Sequence, residues 1–266
     1  MSDTITAPPP WMAALEYRAM AERAYMTGVL PALRRLPHGD GHPVLVLPGF
    51  TATDRSTDPL RRLLKDLGYR TYGWGLGVNI GPTERILDGV FRKLDRVHDR
   101  KGEQVSIIGW SLGGIFAREL ARARPDQVRQ VITLGSPIQM IEDDASSAQR
   151  MWESLRKYHA SGFDRSEREA DRPRLTVATT SIYSRTDGVV NWKSCLIRRS
   201  ETSENIRVFG SHCGLGFNAA AIYAMADRLA QDKGEWTPFS APWYLRSAFP
   251  RARDLDRSKL PAASAA

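Results

Sequence analysis

Cysteine is scarce in this chain: 266 residues carry only Cys195 and Cys213. Two are too few for a disulfide scaffold, and they lack the spacing of a zinc site. No apolar run approaches the roughly 18–20 residues of a membrane span, so no transmembrane segment is expected. The opening M-S-D-T-I-T-A-P-P-P has no basic stretch followed by an apolar one, so no signal peptide is visible and a cytoplasmic protein is expected. Charge of one sign is not concentrated anywhere. The 38 Lys and Arg outnumber the 30 Asp and Glu, for a net charge of +8, yet they interleave, as in R-K-L-D-R-V-H-D-R-K. A nucleic-acid binder would gather them on one face or arm, so nucleic acid is not an expected partner.

What remains is an ordinary globular composition, 42% hydrophobic and 26% charged, long enough for one large α/β domain or two small ones. Residues 1–42 read as an N-terminal helical extension. There Leu15, Met20, Ala24 and their neighbours fall at mixed three- and four-residue spacing, as in a helix packed against the domain. Its polar face is not strongly cationic, and transient contact with a membrane surface stays open. From His42 the pattern alternates. Strands are expected at 43–50, 69–74, 105–109, 128–135, 175–184 and 206–210. Helices are expected at about 57–67, 83–98, from 112, and at 217–231. Continuous apolar strands separated by helices imply a doubly wound, mostly parallel α/β sheet with helices on both faces. The catalytic domain is expected over 43–235, with a helical lid-like insertion at 137–173 and a partly flexible C-terminal extension at 236–266.

The stretch I-I-G-W-S-L-G-G (107–114) places Ser111 between glycines, where a buried strand meets a helix. A bare G-x-S-x-G is weak evidence, but this context is that of a nucleophile elbow. Gly109 and Gly113 leave room for a tight turn that a side chain would obstruct. A serine hydroxyl needs a general base to be a useful nucleophile. The chain has five histidines. His38 and His42 precede the first strand and lie at the wrong end of the sheet. His98 closes a helix and His159 belongs to the insertion. His212 follows the carboxyl end of the last strand, where ligands meet α/β sheets. Asp187, after the strand T-S-I-Y-S and before Gly188, which lets the loop turn, is the expected partner of the imidazole. Asp143 and Asp144 are the fallback. Oxyanion donors are expected from the backbone N–H groups of Leu112 and Phe50.

These residues resemble the α/β-hydrolase superfamily, and within it the bacterial lipase and esterase branch. The resemblance rests on V-L-V-L-P-G-F, I-I-G-W-S-L-G-G, V-I-T-L-G-S-P, T-S-I-Y-S-R-T-D-G-V-V and G-S-H-C-G-L, and covers roughly residues 43–231. It implies a serine hydrolase with Ser111, Asp187 and His212 as triad, no metal and no organic cofactor, acting on a small-molecule or lipid ester. The chain departs from the pattern in three places. Trp110 stands where many lipases carry His, Pro-Gly-Phe replaces His-Gly, and the insertion 137–173 is longer than a minimal lipase has. Trp74, Trp110, Trp152 and Trp192 are candidates to shape an apolar acyl pocket, with core packing the preferred reading of each. Trp110, beside Ser111, is the candidate with most bearing on substrate shape.

Cys213 directly follows the proposed base and Cys195 follows the loop of the proposed acid. A disulfide would tie those loops together; two free thiols are the default inside a cell. An acyltransferase using the same acyl-enzyme and a non-catalytic binding protein on a hydrolase fold remain the alternative functions.

Overall fold

A computed structural model of the chain describes residues 4–142, 144–161, 163 and 168–255. Six strands form one sheet: β1 (Pro43–Leu47), β2 (Arg70–Gly73), β3 (Val105–Trp110), β4 (Val128–Leu134), β5 (Ala178–Ser184) and β6 (Ser203–Val208). Their order is β2-β1-β3-β4-β5-β6, and every neighbouring pair is parallel. β1 and most of β3 are apolar because both faces of the sheet are covered there, and neither strand has an exposed residue.

The two-residue period of a strand sorts the core into two layers. Val44, Val46, Ile108 and Ile132 face one layer, which includes Leu60, Leu63 and Leu64 of α3 (Asp54–Asp66). Leu45, Leu47, Ile107 and Val131 face the other. There Ile86, Val90 and Leu94 of α4 (Glu84–Asp99) and Phe116 and Leu120 of α5 (Leu112–Ala123) complete the packing. Helix α7 (Ala219–Leu229) lies on the α3 side, capped by the Asn218 side chain, which accepts from the amides of Ala220 and Ala221.

The last strand starts three residues before the 206–210 range expected of it, because its first residues are polar and hide the apolar signal. Their polarity is satisfied locally. Glu204 pairs with Arg228 at 2.9 Å, and the Asn205 amide bonds both polar backbone atoms of Ile197.

The N-terminal residues form α1 (Pro10–Ala14), a 3₁₀ turn at Leu15–Tyr17 and α2 (Arg18–Leu33). The face they bury is not the one the spacing suggested. Met26 and Leu33 enter the core, with Val29 and Leu30 packed beside them, while Leu15 and Met20 are exposed. The reason is polar: Glu16 and Glu22 turn inward to the loops at the carboxyl edge of the sheet. In the insertion, α6 (Gln149–Leu155) is its one α-helix among the described residues. The end of the expected flexible tail, 256–266, lies outside the described residues. No described helix is long and apolar enough to cross a membrane.

Candidate active site

Phe50, Ser111, Asp187 and His212 come from loops that leave carboxyl ends of strands. Ser111 occupies the single residue between β3 and α5, at φ 52° and ψ −123°, a region that L side chains rarely adopt. Its amide donates to Leu134 O at 2.8 Å, which anchors the turn on the neighbouring strand. Steric space explains both flanking glycines. A Cβ on Gly109 would lie 2.3 Å from Gly114 Cα, and one on Gly113 would lie 2.4 Å from Leu47 O. The geometry is the strand–turn–helix expected of a nucleophile elbow.

After β5, Asp187 is buried. Its Oδ1 accepts from the amides of Val189 and Val190, both at 2.8 Å. Its Oδ2 meets His212 Nδ1 at 2.6 Å, so Nε2 is the nitrogen left to face the cavity. Burial disfavours a charged His212, but the Asp187 carboxylate, and then Glu16, outweigh burial and raise its pKa above the ordinary 6.5. Ser111 and His212 line the same cavity, of about 810 Å³, a size typical of small-molecule sites. The Ser111 hydroxyl makes no hydrogen bond among the described residues. Such a contact can await substrate.

Phe50 and Leu112 also line the cavity beside Ser111. Leu112 is the first residue of α5, so its amide has no acceptor within the helix. The insertion supplies much of the opposite wall through Met140, Ile141, Met151, Trp152 and Phe163. Trp152 packs on Phe50 at 5.4 Å between centroids, and Ala160 N donates to Pro82 O, so the insertion rests on the 50–52 and 79–82 loops. Its root is pinned by Asp144, which pairs with buried Arg168 at 2.6 Å and accepts from the amides of Ile5 and Ile141. Asp144, half of the fallback acid, is therefore committed elsewhere. The other half, Asp143, lies outside the described residues.

The structure decides three points that the sequence left open. Trp110 is not a pocket wall. It packs into the core against Phe217, and its indole N–H donates to His212 O at 3.0 Å, holding the base loop from behind. The cysteines form no bridge: Cys195 is a free thiol packed with Tyr183, Val190 and Leu196, while Cys213 is a free, exposed residue on the histidine loop. Gly188 does not serve the loop through an unusual φ. A Cβ there would lie 2.2 Å from Met12 O, so its glycine admits the N-terminal segment.

Several contributors gave no sequence signal that was used. Gly135, at φ 54°, lies against the acid–base pair, where a Cβ would fall 3.1 Å from both Asp187 Oδ2 and His212 Nδ1. Asn79 is fully buried and shapes the Phe50 loop. Its side-chain amide nitrogen donates to Pro48 O, and its backbone carbonyl accepts from Thr51 N. Glu16 accepts hydrogen bonds from Gly188, His212 and Cys213, and Glu22 from Ser211. The glycine after a strand in V-I-T-L-G-S-P could have flagged Gly135. Nothing local marks the two glutamates.

The parallel sheet, its strand order and the loops gathered at one edge are those of an α/β-hydrolase fold. Within it, residues 84–205, under half of the chain, match the family described as PGAP1-like alpha/beta domain. Lipase B of Aspergillus fumigatus is a similar solved structure, with TM-score 0.56, 17% identity and 75% of this chain covered. The chain spans 55% of that lipase's length. Mature lipase BlEst2 of Bacillus licheniformis is also similar, with TM-score 0.52 and 14% identity, covering 74% of this chain and 95% of the lipase. At these identities the likeness is one of fold. No curated protein matches the sequence.

Proposed function

We propose that the protein is a serine hydrolase that cleaves carboxylic esters. The observation that carries this reading is that Ser111, in its strained turn, and the hydrogen-bonded His212–Asp187 pair open onto one cavity. In the proposed reaction Ser111 Oγ attacks the acyl carbonyl while His212 Nε2 takes its proton. Asp187 holds the Nδ1–H tautomer and stabilises the imidazolium. The amides of Phe50 and Leu112 bind the oxyanion of the tetrahedral intermediate. His212 then protonates the departing alkoxide, and water, deprotonated by the same imidazole, releases the acyl group from Ser111.

The apolar side of the cavity, with Ile141, Met151, Trp152, Phe163 and Val190, suits the acyl chain. The polar rim, with Glu142, Arg150 and Arg156, suits the leaving alcohol. The test is a panel of esters of increasing chain length, run with wild type and Ser111→Ala. Wild type should hydrolyse part of the panel and the folded mutant none of it. Equal turnover by the two proteins would end this reading. Adding competing alcohols or amines to the same assay shows whether the acyl group goes to water.

A further inference from the structure

The N-terminal segment does more than cover the core. Two glutamates reach from it into the loops that carry the candidate acid and base. Glu16, in the 3₁₀ turn between α1 and α2, accepts through Oε1 from Gly188 N at 2.8 Å and from His212 N at 2.9 Å. Its Oε2 accepts from Cys213 N at 2.8 Å. One carboxylate therefore spans residue 188, next to the acid, and residues 212–213, the base and its neighbour. Six residues further on, in α2, Glu22 accepts from the Ser211 amide at 2.8 Å and the Ser211 hydroxyl at 2.7 Å.

The loops are shaped to admit these side chains. A Cβ on Gly214 would lie 1.3 Å from Glu22 Oε2, and one on Gly188 would meet the Met12 carbonyl. Arg18 adds a third tie, donating to Thr186 O at 2.6 Å. Hydrogen bonds to a charged acceptor are stronger than neutral ones, and here three amides converge on one carboxylate.

We propose that Glu16 is a positioning residue for the His212–Asp187 pair, cross-linking the two loops in the role that the sequence had left open for a disulfide. The proposal rests on the reading of Ser111, His212 and Asp187 as a triad. The His212–Asp187 contact, at 2.6 Å, joins residues 25 apart in sequence. Its alignment depends on how the two loops sit relative to each other, and Glu16 fixes that relation through backbone atoms. Glu16 never touches the reacting atoms, and its effect arrives through His212.

A second consequence is electrostatic. The charged groups facing His212 are Asp187 from the acid loop and Glu16 from the N-terminal turn. Glu22 reaches the same loop through Ser211, and Arg18 sits on the acid loop at Thr186. Cys213, an exposed residue whose thiol is partly desolvated and lies beside Glu16, has its pKa pushed up to about 12 and stays a neutral thiol. Glu16 and Asp187 both favour the imidazolium. Neutralising Glu16 therefore moves the acid limb of kcat/KM to lower pH. A purely structural loss would slow turnover without moving that limb.

The test compares wild type, Glu16→Gln and Glu16→Asp, with Thr27→Ala on the exposed side of α2 as control, using the best ester of the panel and a fluorophosphonate probe. Glu16→Gln keeps one acceptor but turns an N–H₂ group towards the loop amides. It should stay folded by circular dichroism and lose about ten- to a hundredfold in kcat, with KM changed much less. Its acid limb should fall to lower pH. Glu16→Asp, which keeps the charge on a shorter stem, should recover the limb but only part of kcat. If Glu16→Gln matches wild type in kcat, probe labelling rate and pH limb, the clamp is overturned while the triad reading stands. If wild-type Ser111 itself fails to label, the triad reading falls and takes the clamp with it.

Discussion

Two Ser–His–Asp constellations lie at opposite ends of strand β3, five residues apart in sequence. At the amino end, Ser106 Oγ meets His42 Nε2 at 2.8 Å, and His42 Nδ1 meets Asp40 Oδ1 at 2.5 Å. At the carboxyl end, His212 Nδ1 meets Asp187 at 2.6 Å, while the Ser111 hydroxyl makes no hydrogen bond among the described residues. By hydrogen bonding alone the amino-terminal set is the more complete of the two. It is nevertheless sealed. Ser106 sits inside strand β3 with no exposure, and His42 is buried beside it. Ser111 instead has a strained backbone and a cavity in front of it.

The proton affinities diverge in the same way. Burial, and then nearby Arg129, hold the His42 pKa below 6.5 despite Asp40, so its imidazole stays neutral. Asp40 is itself bound to Arg129 at 2.6 Å. At His212 the neighbouring carboxylates outweigh burial and the pKa rises. A serine–histidine–carboxylate relay is thus not a site by itself. Access, backbone strain and an imidazole stabilised in its charged form separate the candidate site from a polar staple of the core.

The largest effect that separates them is on turnover. Ser111→Ala should lower ester hydrolysis by roughly 10⁴–10⁶-fold, while Ser106→Ala leaves it near wild type. Initial rates on one ester decide the matter, and a comparable loss in both variants would erase the distinction.

The next largest effect concerns Gly135. In Gly135→Ala the new Cβ crowds Leu215, Asp187 and His212 at a φ of 54°, so activity should fall by about a hundredfold with substrate binding less affected. Michaelis parameters check this.

At the other end of β3, His42→Ala removes the shared partner of buried Ser106 and of Asp40. It should cost about 1–3 kcal/mol, read from the urea midpoint, with catalysis retained.

The smallest effect, and the sharpest in sign, is on stability against pH. His42 binds its proton more weakly when folded than at its unfolded value of 6.5. Its contribution is therefore complete above 6.5 and is lost as pH falls from there towards the folded pKa. His212 binds its proton more tightly when folded. Its contribution is complete below 6.5 and is lost as pH rises through the folded pKa. His42→Gln should flatten the acid arm of a stability–pH curve, and His212→Gln the arm above 6.5.

The sequence revealed most where one short segment carries both pattern and chemistry. The apolar run ending at Gly109, and the single serine before Leu112, suffice to place the turn. His212 and Asp187 were legible because each follows a strand of the right kind. What stayed hidden was long-range. Glu16 lies 172 residues before Gly188 and 196 before His212, and in a helical stretch a glutamate reads as solvated surface. Beside Ser111, Trp110 reads as core packing or as pocket wall, and sequence alone does not choose. Only the packing shows that its ring turns into the core and its N–H into the base loop. The polar opening of β6 hid the strand boundary because its partners, Arg228 and Ile197, come from elsewhere in the chain.

The central claim is that Ser111, and not its hydrogen-bonded counterpart Ser106, is the nucleophile. The most direct test is to treat the folded protein with a fluorophosphonate and map the adduct by peptide mass spectrometry. The account predicts one modified serine, Ser111, with Ser106 untouched. An adduct on Ser106, or a folded protein with Ser111 unmodified, would contradict it.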